Sequence, residues 1–379
     1  MERRAAEYLD ILSKKARNDL DLKRELAESY VRLGDAQGNG IDANLGKTKE
    51  SIASLEKAVA LSTEVYRARS SDPEARAALA RAKLGLCHVL AQSDPARADQ
   101  LRGEALELSS QALSPKLVEI AKLTLARAYF GKAERFAETG KTQEALAARN
   151  RSIELLGEMV AANPANEDAL RLLGQSLKRR AVLELGPLHA LDNARQDLEA
   201  AMRIDDRRIA RNPNNAAARL DQALGQSYLA KLQQRQGDLA GADEMMDHAI
   251  ATRVELLRAD PSNVRNRTWL MSNYIGLAAI RRAEKRLPES MAAIAQGFAV
   301  GNQAAAPVTS SPDWIEYVGS LHLEAAQTRA QMGACKDAQR ELDEAGRLNA
   351  DVITARDTVA KHCGVAGIEI KKSKLKSQE

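Results

Sequence analysis

Six prolines divide the sequence almost evenly. Pro73, Pro115, Pro164, Pro213, Pro261 and Pro312 follow one another at intervals of 42, 49, 49, 48 and 51 residues. The residues before them are Asp72, Ser114, Asn163, Asn212, Asp260 and Ser311, all short and polar. These are favoured N-cap types. Proline suits the first helical position, where its missing N–H would have no intrahelical partner. The pattern predicts six helices that start the same way. Three starts share a longer form: Asn163-Pro164-Ala165-Asn166, Asn212-Pro213-Asn214-Asn215 and Asp260-Pro261-Ser262-Asn263. A near-constant interval of this kind calls for a repeated unit stacked on its neighbours.

A second feature recurs about ten residues into these helices. A leucine, often followed by a small residue, precedes a large ring by four positions: Leu26/Tyr30, Leu84/His88, Leu125/Tyr129, Leu224/Tyr228 and Leu270/Tyr274. Leu173/Leu177 keeps the spacing without the ring. Residues four apart share a helix face. The small residues Ala27, Gly85, Ala126, Gly174 and Gly225 are expected to let a neighbouring helix approach closely.

Between these helices lie second helices opened by turns at Gly46-Lys47-Thr48, Asp94-Pro95, Gly140-Lys141-Thr142, Gly237-Asp238 and Leu287-Pro288. One period is therefore helix–turn–helix, with each helix roughly 18–22 residues and about 30 Å long. Composition agrees. Aromatic residues make up 3%, and Ala, Leu, Arg and Glu, all strong helix formers, dominate. The Leu224-Gly225-x-x-Tyr228 run, followed by Gly237-Asp238, Ala242, Ala249 and Pro261, resembles the tetratricopeptide (TPR) consensus. The usual period of that family is about 34 residues, so these would be long-helix relatives. The expected fold is all-α, an α-solenoid (right-handed superhelix) of about seven TPR-like helix pairs. Residues 1–18 would cap it. The array would occupy 19–363, in pairs at 19–70, 72–113, 114–162, 163–211, 212–259, 260–306 and 311–349, with a closing helix at 350–363. Residues 364–379 read as a basic, disordered tail.

Several functions are disfavoured. Net charge is +4, from 56 basic and 52 acidic residues. That balance lacks the basic footprint of a nucleic-acid binder. The one clear basic run, Lys371 to Lys376, reads as a solvated tail. No apolar run approaches the roughly 20 residues of a membrane helix, so the chain reads as soluble as it stands. Gly46-Lys47-Thr48 is not a phosphate loop, because Ile41 stands where the first glycine is required. His88, His189, His248, His322 and His362 never fall three or four apart, so no metal site is expected. His88 replaces the motif ring and reads as a packing residue. The stretch Gly34 to Gly46 reads as a long glycine-rich loop. No catalytic residue and no cofactor are expected.

Three cysteines are present. Cys335 opens one helix of the last hairpin and Cys363 closes the next, and antiparallel packing would bring them together. A disulfide there implies an oxidising compartment. The alternative is a pair of thiols in a reducing cytoplasm. Cys87 lies in an apolar stretch and reads as core.

Helical arrays of this kind bind proteins, so the expected partner is a protein or peptide in a concave groove built from the first helices. Polar residues flanking the Leu–ring motif are candidates to face it: Arg24, Glu28, Arg171, Gln175, Lys178, Gln222 and Gln226.

A narrower resemblance covers residues 3 to 66. Tyr30-Val31-Arg32-Leu33-Gly34-Asp35-Ala36-Gln37-Gly38-Asn39, then Asn44-Leu45-Gly46 and Ser54-Leu55-Glu56-Lys57-Ala58-Val59, is similar to the first repeat in the C-terminal sensor region of membrane-anchored bacterial serine/threonine protein kinases. Glu7-Tyr8-Leu9-Asp10 resembles the helix that joins the anchor to those repeats. The resemblance implies a non-catalytic sensor or docking segment, since Gly-rich loop, HRD and DFG motifs are all missing here. It also implies a periplasmic location; a standalone adaptor would be cytoplasmic. An RNA-binding helical-repeat protein is the remaining alternative.

Overall fold

The computed structural model describes residues 2–38, 45–91, 93–110, 118–302, 312–348 and 350–364. Among the described residues the regular structure is helical, with no strand. The chain divides into two compact units, Met1–Gly225 and Gln226–Glu379.

In the first unit α1 (Glu2–Lys15) precedes four helix pairs. They are α2 (Leu20–Gly38) with α3 (Thr48–Ala68), α4 (Pro73–Leu90) with α5 (Pro95–Ser110), α6 (Val118–Glu138) with α7 (Thr142–Ala162), and α8 (Glu167–Leu185) with α9 (Leu191–Arg211). Helix α10 (Ala216–Gln236) runs from the end of this unit into the second. The second unit continues with α11 (Leu239–Ala259), the pair α12 (Val264–Ala283) and α13 (Leu287–Asn302), the pair α14 (Pro312–Gln331) and α15 (Cys335–Arg347), and α16 (Ile353–Cys363). In the first unit α1 to α9 pack side by side in order, and α2, α4, α6 and α8 also touch one another in order; in the second, α11 to α16 pack side by side in order. That is the stacking of an all-α solenoid. The cap–proline pair at 114–115, Ser311, the residues 39–44 and the tail from 365 lie outside the described residues.

The proline rule holds at one place and is corrected at three. Asp72 caps α4, accepting a hydrogen bond from Glu74 N at 2.9 Å, with Pro73 at the first helical position. Asn163, Asn212 and Asp260 instead follow the ends of α7, α9 and α11. Each side chain accepts from the backbone two residues on: Ala165 N at 3.1 Å, Asn214 N at 3.1 Å and Ser262 N at 3.2 Å. Proline sits inside that turn. The cap comes three residues later, where Asn166, Asn215 and Asn263 accept from Ala169 N, Ala218 N and Asn266 N at 2.9–3.0 Å. One four-residue motif therefore closes one helix and opens the next. Short polar side chains serve both jobs, because each bonds a backbone N–H that would otherwise be unpaired.

The Leu–ring motif enters the core to different depths: Leu26, Tyr30, Leu84, Tyr228 and Leu270 are buried, whereas His88, Leu125, Tyr129 and Tyr274 are half-buried. In the first unit Leu26, Tyr30, Leu55 and Leu84 are all buried, and the Tyr30 hydroxyl donates to Asp10 Oδ1 at 2.6 Å, fastening α1. A second core in the other unit gathers Met246, Leu270, Met271, Ile294, Trp314 and Leu321. Each fully buried leucine contributes about 1.5–3 kcal/mol. The small residues matter unequally. A Cβ at Gly85 would lie 2.9 Å from Leu55 Cδ2, and one at Gly225 would lie 2.5 Å from Met202 Sδ. At Gly174 nothing comes nearer than 3.6 Å, so close approach does not require glycine there. The expected loop from Gly34 starts later, because α2 continues to Gly38. Gly34 is a helical contact: its Cβ would stand 2.5 Å from Leu55 Cγ.

Three hairpins share a device with no signal in the motif. A buried serine on the second helix donates across the pair to a carbonyl of the first. The bonds are Ser51 Oγ to Gly34 O at 2.7 Å, Ser152 Oγ to Ala126 O at 2.9 Å and Ser290 Oγ to Ala278 O at 2.9 Å.

Candidate binding groove

Four first helices, α2, α4, α6 and α8, line a cavity of about 290 Å³ in the first unit. Its apolar surface comes from Val31, Leu84, Phe130 and Leu172. Its ionisable residues are Glu28, Arg32, Asp35, Arg81, His88, Arg127, Asp168 and Arg171. Helix packing fixes several of them. Glu28 Oε1 accepts from Arg81 Nη2 at 2.7 Å, joining α2 to α4. Arg32 Nη2 lies 3.8 Å from Glu28 Oε2.

At the α8 end a buried ionic network holds the wall. Asp221, on α10, accepts from Arg171 Nε at 3.1 Å, Gln175 Nε2 at 3.1 Å and Arg208 Nη1 at 2.9 Å. Burial raises the Asp221 carboxyl, but Arg171, Lys178 and Arg208 outweigh it and leave it below the usual carboxylate range. Arg208 also donates to Glu167 Oε1 at 2.8 Å and to Asp205 Oδ1 at 3.2 Å. Asp205 faces Lys178 Nζ at 2.5 Å. Its burial pushes the carboxyl up to about 6, against the pull of Lys178 and Arg208.

The structure sorts the seven expected groove residues. Glu28, Arg171 and Gln175 line the cavity. Lys178 does not: it is completely buried and committed to Asp205, because position 178 turns into the α8–α9 contact. Arg24 is paired with Glu74. Gln222 reaches α9, donating to Asp206 Oδ1 at 2.8 Å. Gln226 belongs to the second unit, where it is half-buried. His88, expected to pack, lines the cavity.

Arg81, Arg127 and Asp168 were missed by sequence reasoning. For Arg127 the signal was present. Glu28, Arg127 and Gln175 each stand two residues after the motif leucine, at Leu26, Leu125 and Leu173. Helix α4 breaks that register, presenting Arg81, Leu84 and His88 while Leu86 is buried.

In the second unit Cys335 and Cys363 are joined, with Cα atoms 5.6 Å apart. The bond ties the start of α15 to the end of α16. Cys87 is buried and unpaired with another cysteine. Among the described residues no helix is long and apolar enough to cross a membrane.

No protein-family model matches the sequence, and no curated protein is significantly similar to it. Solved structures are similar in fold. Aspartyl phosphate phosphatase F from Bacillus subtilis matches with a TM-score of 0.50 at 12% identity, over 98% of this chain and 96% of that one. BtubC (BKLC) from P. vanneervenii gives 0.49 at 17%, over 67% and 90%. A tetratricopeptide repeat protein from Parabacteroides merdae ATCC 43184 gives 0.43 at 15%, over 85% and 97%. Identities this low speak to fold alone, and the fold is an all-helical one of helix pairs.

Proposed function

We propose that this chain is a non-catalytic scaffold that holds an extended segment of a partner protein in the groove of α2, α4, α6 and α8. The observation that supports it most is the way the groove is built. Four successive first helices contribute polar side chains to one cavity, and the Glu28–Arg81 and Asp221–Gln175 contacts hold several of them in place before any partner arrives. Side chains fixed in advance lose less entropy on binding.

Within that reading the chain is the sensor or docking region related to bacterial serine/threonine kinases. The resemblance over residues 3–66 supports this, and the Cys335–Cys363 bond fits an extracytoplasmic setting. A standalone adaptor is the competing form. The coding sequence decides between them: an in-frame kinase domain and membrane helix upstream supports the first, and a stop codon there removes it.

Site-specific photo-crosslinking in cells tests the groove. A photoreactive residue replacing Asp168, an exposed lining position, should give a discrete protein adduct. The same residue at Arg340, exposed in the second unit, should not. Adducts at position 340 and none at position 168 would remove the groove from consideration.

A further inference from the structure

We propose that the segment held in this groove is acidic and sets a carboxylate against Arg127; the inference rests on the groove reading above. The two central helices, α4 and α6, present three ionisable side chains to the cavity, Arg81, His88 and Arg127, and all are of basic type. The acidic lining residues Glu28, Asp35 and Asp168 lie on the flanking α2 and α8.

The arginines differ in how far they are already satisfied. Arg81 is held by Glu28 at 2.7 Å and Arg171 by Asp221 at 3.1 Å. Arg127 is half-buried, and among the described residues its side chain has no ion pair and no hydrogen bond. A guanidinium partly withdrawn from water, with its donors unused, favours a planar anion that accepts two parallel N–H bonds. A carboxylate side chain has that shape. The surroundings add a second condition. Phe130 is one turn along α6, and Leu172 and Leu84 complete the apolar wall. The preferred segment therefore carries a Glu or Asp beside an apolar residue, extended across the four helices.

The basic character also sets which segments are refused. A lysine or arginine at the central position would face Arg127 with like charge in a site where water screens it less than at an open surface.

A phage-displayed library of random 12-residue peptides, selected on the full chain, tests this. Selected peptides should be enriched in Asp or Glu next to an apolar residue. Their binding, read by fluorescence anisotropy, should weaken about tenfold or more when that acid is changed to its amide. Arg127→Gln should weaken them by a similar factor, and combining the two changes should add little, because both remove one contact. The peptide change needs no alteration of the protein, so it stays informative if Arg127→Gln fails to fold. Peptides enriched in basic residues, or with no charge bias, that still lose binding to the triple variant Arg32→Ala, Arg127→Ala, Asp168→Ala would overturn the acidic assignment and keep the groove. Peptides indifferent to the triple variant, or no selected peptides, would overturn the groove reading itself.

Discussion

Lys178 Nζ stands 2.5 Å from Asp205 Oδ2, and neither side chain has exposed surface. Removing one partner strands a buried charge, whereas removing both removes the need for pairing. Lys178→Met should therefore destabilise the first unit by about 3–5 kcal/mol. Combining it with Asp205→Leu should recover most of that loss. Urea denaturation monitored by circular dichroism measures both, and a double variant as unstable as the single one would contradict this account. Arg208 and Asp221 share the network, so recovery should be incomplete.

Glu184 should make stability fall as pH rises towards neutrality. The residue is 6% exposed, and Oε2 has no hydrogen-bond partner among the described residues. Arg180 is committed to Asp197 through two bonds of 2.6 Å and stays 4.0 Å from Glu184. Burial, with the Asp197 charge, pushes the Glu184 carboxyl up to about 7. From its ordinary 4.5 up to about 7 the folded chain keeps this proton and the unfolded chain releases it. The unfolded state then binds fewer protons, so stability drops across that interval. Asp205 contributes in the same direction only up to about 6. Glu184→Gln should therefore gain about 1 kcal/mol on wild type between pH 6 and pH 7.5, since one pKa unit is worth about that much. Melting curves at those two pH values check it, and a pH-independent difference would contradict it.

How much of this was legible beforehand depended on how local the physics was. The helix pairs were legible because turn chemistry and the Leu–ring spacing are local. Pro164, Pro213 and Pro261 mark junctions, but there the helices start three residues later than the proline rule expects, whereas Asp72–Pro73 obeys it. An Asn before proline and an Asn two residues after it both look like caps, and only the chain geometry says which is which. Of the expected positions, Glu28, Arg171 and Gln175 reach the cavity because flanking the motif selects one helix face. Lys178 was misplaced because a lysine reads as surface until its buried partner, 27 positions away, is known. Arg81 depended on the altered register of α4, which tertiary packing alone sets. Arg127 needed only a consistent count from the motif leucine.

Lys285 should be replaceable by glycine with a gain in stability. Helices α6, α10, α12 and α14 end alike: a backbone N–H bonds the carbonyl five residues earlier, from Lys141 to Phe136, Asp238 to Gln233, Arg286 to Arg281 and Ala334 to Arg329, at 2.8–2.9 Å. The residue before the donor takes positive φ: Gly140 at 71°, Gly237 at 84°, Gly333 at 79° and Lys285 at 65°. An L-residue pays roughly 1–2 kcal/mol in that region, and glycine does not. Part of that gain is returned as unfolded-state entropy. Lys285→Gly should raise stability by about 0.5–1 kcal/mol, and Lys285→Val, with its branched Cβ, should lower it. Denaturation midpoints for the three proteins give the order directly.

The Cys335–Cys363 bond gives the proposed extracytoplasmic setting its most direct test. It spans 28 residues and ties α15 to α16 at the end of the second unit, where Ala338, Leu342, Ala355 and Val359 form a small core with α14. So small a cluster supplies little stability of its own, and cross-linking a loop of this length restricts the unfolded chain by about 3–4 kcal/mol in the chain-entropy model. Purified under oxidising conditions and unfolded without reductant, each chain should yield one reactive thiol, from Cys87. Reductant should raise the count to three. It should also lower the melting temperature of wild type but not of a Cys335→Ser, Cys363→Ser double variant, whose melting should match that of reduced wild type. Loss of stability confined to α14–α16 would appear as faster amide exchange over residues 312–364 with the first unit unchanged, because in a stacked array each pair leans mainly on its neighbours. Three thiols without reductant, in protein recovered from the periplasm of an expressing bacterium, would rule out the bond and with it the main physical support for an extracytoplasmic setting.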